Sequence, residues 1–152
     1  MYYVISSVWL LSVIASLFLM SIQEVLGYTG KEFVIKLGNI QSYPVNGTTH
    51  YQIRANVNYS VSDPNLIGHK VNAVMKVHSS NGSVIKTTSF PNGFVANKSD
   101  SARLLTNIPI TLAKNITTET FFTDLNRAVI LSNTVNAQPT ISGSIKASGS
   151  SP

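Results

Sequence analysis

The chain has 152 residues, 43% of them hydrophobic and 11% charged, with 11 Lys+Arg against 6 Asp+Glu and no Cys. The length suits one domain. The missing cysteine excludes a disulfide scaffold and any cysteine-ligated zinc, iron–sulfur or blue-copper site. The low charge excludes charge-driven disorder.

No charged side chain occurs from Met1 to Gln23. Within that stretch Val8 to Met20 is a 13-residue run of hydrophobic character, the length of a secretory signal core. A cut between Leu26 and Tyr28 fits this reading. No Lys or Arg precedes the core, and no A-x-A site follows it. The 21 uncharged residues from Tyr2 to Ile22 also reach the length of a bilayer span. Residues 1–27 are therefore expected to be a signal peptide or an uncleaved N-terminal membrane anchor, helical in either case. Both readings export the remainder, and membrane contact is expected only through residues 2–22. Of the six acids only Glu24 falls in the leader, so the exported part is more basic than the whole.

Beyond the leader the apolar residues alternate. Phe33, Ile35 and Leu37 open a first strand, expected over Phe33–Ile40. Tyr51, Ile53, Ala55, Val57, Tyr59 and Val61 then point one way, with Gln52, Arg54, Asn56, Asn58 and Ser60 pointing the other. Such spacing marks a half-buried strand, because successive Cβ atoms alternate across the pleat. Asp63-Pro64-Asn65 breaks it. Val71, Ala73, Met75 and Val77 form a third inward row, with Asn72, Lys76 and His78 outward. Asn81-Gly82 is expected to close a hairpin through a type I′ turn, and Val84 to Phe90 returns. Pro91-Asn92-Gly93 turns again. Ala102–Ile108, Ile116–Leu125 and Val129–Ala137 are further strands. A last alternating segment contains Ile141, Gly143 and Ile145. Residues 28–146 thus form the expected domain, and 147–152 a Ser/Gly-rich flexible tail.

Short strands with turn signals at this density predict an all-β fold, an Ig-like antiparallel β-sandwich of seven to eight strands. Tyr51, Tyr59, Met75, Phe121 and Leu125 are expected to fill its core, since the sole Trp lies in the leader.

The stretch Val57-Asn58-Tyr59-Ser60-Val61-Ser62-Asp63-Pro64, the turn Asn81-Gly82-Ser83, and Thr123-Asp124-Leu125 with Leu131-Ser132-Asn133 resemble exported Ig-like, fibronectin-III-like modules of archaeal and bacterial surface proteins. The resemblance spans roughly Phe33 to Ile145 and rests on strand grammar and turn dipeptides. It implies adhesion, spacing or assembly. No catalytic motif comes with it.

Five Asn-X-Ser/Thr sequons begin at Asn46, Asn58, Asn81, Asn97 and Asn115. Chance alone supplies about three in a chain this rich in Asn, Ser and Thr. Their positions in turns, loops and on an outward strand face suit attached sugar. His50, His69 and His78 are the only histidines, and imidazole suits copper or zinc. No two have the spacing of a metal site, so solvated surface histidines are the simpler reading and no metal or other cofactor is expected. Met75 reads as core, not as a thioether ligand. The carboxylates Glu32, Asp63, Asp100, Glu119 and Asp124 are scattered, and no Gly-x-Ser-x-Gly, phosphate-loop or dinucleotide motif occurs. No enzyme is expected. No Lys/Arg cluster is visible, so nucleic-acid binding is not expected either. Tyr43, Phe90 and Phe94 flank predicted loops and are candidates for a binding patch. The competing reading has Phe90 and Phe94 capping one end of the sandwich.

The functional expectation is a cell-surface module acting by binding, adhesion or assembly with other surface proteins or with itself. An alternative is a filament subunit in which Phe33–Ile40 leaves its own sheet to complete a neighbour's. A further alternative is a secreted metal or small-ligand carrier using the three histidines.

Overall fold

The computed structural model describes residues 27–45 and 48–142. The expected leader helix, the tail and the Asn46 sequon lie outside the described residues. No described helix is long and apolar enough to cross a membrane.

Nine strands occur among the described residues: β1 Phe33–Pro44, β2 His50–Val61, β3 Lys70–His78, β4 Val84–Ser89, β5 Phe94–Val95, β6 Ser99–Pro109, β7 Thr117–Asp124, β8 Val135–Ala137 and β9 Thr140–Ile141. The first sheet has the order β6-β2-β1-β9. The second has the order β4-β3-β7-β8, with β5 added alongside β3. Every pairing is antiparallel except β1 with β9. The result is an all-β sandwich. One end of it carries the β1–β2 loop, and the opposite end carries the β2–β3 loop.

β1 is longer than its alternation predicts because its pleat changes phase. Phe33 and Ile35 are buried, a register shift falls between Leu37 and Asn39, and Ile40 and Ser42 are buried beyond it. Gly38 is the extra residue of this bulge, which moves the inward positions from odd to even numbers.

The two sheets meet over Phe33, Ile53, Val57, Val71, Met75, Val77, Ile108, Phe122 and Leu131, each at most 1% exposed. Two core expectations are corrected. Leu125 is 44% exposed, and Phe121, although buried at 6% exposed, lies on the outer face of its sheet, so the ring turned toward the other sheet is Phe122. The register opposes Phe122 to Ala73, and Phe121 to Val74 on the outer face. The inward row of β7 is Thr118, Thr120 and Phe122, and its hydroxyls disguise the alternation. Tyr59 and Met75 are buried as expected, and Tyr51 is half-buried.

The β3–β4 turn is also different. Gly82 N donates to Ser79 O, and only Gly82 of the Asn-Gly pair has positive φ (84°). This is a longer turn closed by a left-handed glycine, not the two-residue type I′ turn. Asn81 contributes its side chain instead, Oδ1 accepting from Ser83 N at 3.0 Å.

Val129–Ala137 is not one strand. Its first half stitches the two sheets together. Leu131 N donates to Phe122 O in the second sheet, and Leu131 O accepts from Phe33 N in the first. The Asn133 amide pairs both backbone groups of Ile35, accepting from its N–H at 2.8 Å and donating to its carbonyl at 3.0 Å. Val135–Ala137 then rejoins β7.

Candidate functional site

The outer face of the first sheet collects residues that are far apart in sequence. β2 contributes Gln52, Arg54, Asn56 and Asn58. Opposite them on β1 stand Tyr43, Gln41, Asn39 and Lys36, and on β6 Asn107, Leu105, Arg103 and Ser101. Three of these twelve are cations and none is an acid. Glu119 lies on the outer face of the second sheet, and the remaining described carboxylates lie near the β2–β3 end.

A cleft of about 310 Å³ opens at the β1–β2 end of this face, lined by Tyr43, Pro44, Val45, Gln52 and Arg54. The Arg54 guanidinium carbon lies 5.2 Å from the centre of the Tyr43 ring, a cation–π stack. The Tyr43 hydroxyl donates to Gln41 Oε1. Gln52 Nε2 approaches Asn107 Oδ1 at 3.4 Å. Arg103 Nε donates to Asn56 Oδ1 at 3.0 Å. Arg54 differs from Arg103: its Nε is buried and meets no acceptor among the described residues. A buried N–H without a partner costs about 1–3 kcal/mol, so the stack holds a guanidinium that the described fold leaves electrostatically unanswered.

The aromatic candidates divide between the two ends. Tyr43 belongs to this cleft. Phe90 and Phe94 lie at the β2–β3 end, inside an edge-on aromatic cluster. Phe94 lies 5.3 Å from Phe122 and 5.5 Å from Tyr59 between ring centres, and Phe90 lies 5.7 Å from Phe94. These two rings cap the core, and the three do not form one patch.

The histidines do not converge. His69 and His78 sit at opposite ends of β3, roughly 30 Å apart at the rise of a strand. Both ring nitrogens of His78 have partners, Gly82 O and Glu119 Oε2, each at 3.1 Å. His50 begins β2. No group of three His, Asp or Glu that could hold a metal exists among the described residues. The His78–Glu119 pair was hidden in the sequence because it depends on the β3–β7 register.

Asn58, Asn81, Asn97 and Asn115 are all exposed. Asn115 takes a positive φ of 55°, a conformation that asparagine tolerates. Asn97 sits in a network: its backbone N–H donates to the Tyr59 hydroxyl at 3.2 Å and its Nδ2 to Asp100 at 2.8 Å. Burial pushes the Tyr59 phenol up, and the charge of Asp100 adds to this. The Asn97 amide and the Ser101 N–H hold Asp100 below the usual carboxylate range. Burial alone would raise Glu32. Hydrogen bonds from the Thr29 N–H and hydroxyl and from the Gly30 backbone outweigh it and hold Glu32 below that range.

No family model matches the chain, and no curated protein matches it. Among solved structures it is similar to β-glucuronidases at a TM-score of 0.45. The Parabacteroides merdae enzyme is 10% identical over 70% of this chain and 13% of its own. A calcium-binding mutant of Bacteroides uniformis β-glucuronidase 2 is 9% identical over 69% of this chain and 12% of its own. The chain thus spans about an eighth of those enzymes. A likeness of that size carries no argument about activity; the sandwich architecture stands on the strand pairing above.

Proposed function

We propose that the chain is an exported, non-catalytic cell-surface module of the Ig-like, fibronectin-III-like kind, acting by binding or structural association. The observation that carries this reading is the outer face of the first sheet: amide-rich, cationic, free of carboxylates, with an unanswered arginine in its cleft. The strand order supports the finer fold. Setting aside the two-residue strands β5 and β9, the first, second and fifth strands share one sheet, and the third, fourth, sixth and seventh share the other, as in fibronectin-III-like sandwiches. The charge-free leader supports export. Exposure of the four described sequon asparagines supports sugar attachment.

Self-assembly by strand exchange stands second. β1 is paired with β2 at eleven positions and is tied on its other side to Asn133, so exchange has to break its own sheet first.

Cell fractionation with intact mass of the native protein tests the proposal. The expected result is a surface or secreted protein, lacking residues 1–27 or retained in the membrane by them, with added sugar mass. An unprocessed, unmodified protein in the cytosol overturns it. Threads in electron micrographs of the surface fraction would promote the strand-exchange reading.

A further inference from the structure

We propose that the Tyr43–Arg54 cleft binds an acidic saccharide, with the Arg54 guanidinium on its carboxylate and the Gln52 and Asn107 amides on its hydroxyls. This rests on the surface-binding reading above and names the ligand class of the same face.

Three observations converge. The first is the arginine. A guanidinium presents a planar fork that matches a carboxylate in two parallel hydrogen bonds. Arg54 has no such partner among the described residues, and of its nitrogens only Nε is buried without an acceptor. Its terminal nitrogens are not among the buried unpartnered atoms. The Tyr43 stack fixes their direction, so little ordering is left for the ligand to impose.

The second is the size and lining of the cleft. At about 310 Å³ it lies at the low end of small-ligand sites. Its lining carries the Gln52 amide, and Asn107 stands beside Gln52 on β6 just outside it; an amide donates and accepts at once, as vicinal sugar hydroxyls require. With Gln52 Nε2 turned to Asn107 Oδ1, Gln52 Oε1 and Asn107 Nδ2 are left for a ligand.

The third is the rest of the face. Arg103 and Lys36 continue the positive charge along the strands, with no carboxylate between them. A neutral sugar has no use for that field, whereas an acidic polymer is attracted by it. Single-stranded nucleic acid fits less well. It needs successive aromatic platforms, and the one ring here is already covered by Arg54. A protein partner fits less well too, because among the described residues of β1, β2 and β6 only Leu105 and, toward the β2–β3 end, Val34 are large apolar side chains exposed on this face.

The test uses the purified full chain and titration calorimetry. The probes are oligogalacturonate, neutral galactan fragments, a heparin fragment, poly-glutamate and a single-stranded oligonucleotide. Oligogalacturonate is expected to bind, with affinity falling as salt rises, and the neutral fragments are not. Arg54→Gln is expected to weaken binding on the order of tenfold or more. Arg54→Lys is expected to weaken it as well, because the charge stays and the fork is lost. Arg127→Gln, in a loop at the far end, should leave it unchanged. If Arg54→Gln does not fold, Arg54→Lys and Gln52→Ala carry the comparison. Equal binding by wild type and these variants overturns the proposal. So does preference for poly-glutamate or the oligonucleotide over both acidic saccharides, oligogalacturonate and heparin. A surface-located protein that binds no acidic saccharide sinks this inference and leaves the surface reading standing. A cytosolic protein sinks the surface reading whatever it binds.

Discussion

Single residues carry two of the joints in this molecule. Asn133 acts as a one-residue strand, its amide standing in for the backbone partner that Ile35 lacks on that side. Asn133→Ala removes both partners at once and is expected to destabilise the fold by about 1–3 kcal/mol. Asn133→Asp keeps the acceptor but sets a carboxylate oxygen against the Ile35 carbonyl, so it should destabilise at least as much as Asn133→Ala. Chemical denaturation midpoints measure both. Glu32 is the second joint. It is 6% exposed, its Oε1 is bonded to Thr29, and its Oε2 is buried without a partner among the described residues. Because its folded pKa lies below the ordinary value of about 4.3, its contribution is present above that pH. The contribution is lost as pH falls through the folded value. Glu32→Gln should therefore flatten the loss of thermal stability on the acid side of about pH 4.3 and leave the alkaline side unchanged. An acid limb as steep in the variant as in the parent would assign the stability loss to other groups. Neither joint was legible in the sequence. Asn133 and Ile35 are 98 residues apart, and no local pattern announces a side chain acting as backbone.

At the scale of elements, alternation located β2 and β3 well, because their inward residues are apolar without interruption, and β6 as well, where Thr106 alone breaks the inward row of Ala102, Leu104 and Ile108. It misled at β7 and β1. In β7 two inward positions are threonine, so the row of Thr118, Thr120 and Phe122 looks polar and the eye moves to Phe121 and Leu125. Phe122 is fully buried and packs edge-on against Phe33, Tyr59 and Phe94. Phe122→Ala is expected to cost about 3–5 kcal/mol. Leu125→Ala, at a largely solvated side chain, should cost about 0.5 kcal/mol. Reversed values in urea denaturation would put the other face of β7 inward. In β1 the misreading came from the bulge at Gly38. A Cβ there would stand 3.0 Å from the Asn58 amide, so the bulge also brings the two strands close where that sequon sits.

At the scale of the molecule, charge is sorted more sharply than composition suggests. In sequence Lys36, Arg54 and Arg103 are isolated residues, which is why no basic patch was expected. Pairing of β1, β2 and β6 puts them on one face. Asn58 shares this face, four residues along β2 from Arg54, roughly 13 Å away at the rise of a strand. A sugar on Asn58 would spare the cleft and shorten the cationic track beyond it. What the sequence determined alone was the class of fold and the kind of surface. Period-two alternation reports burial on one side of each strand, and an Asn/Ser/Thr-rich exterior follows from composition. What only the tertiary structure decided was which of those surface residues meet. Register between strands distant in sequence is set by the packing of both sheets together, and the Tyr43–Arg54 cleft exists only once that register is chosen.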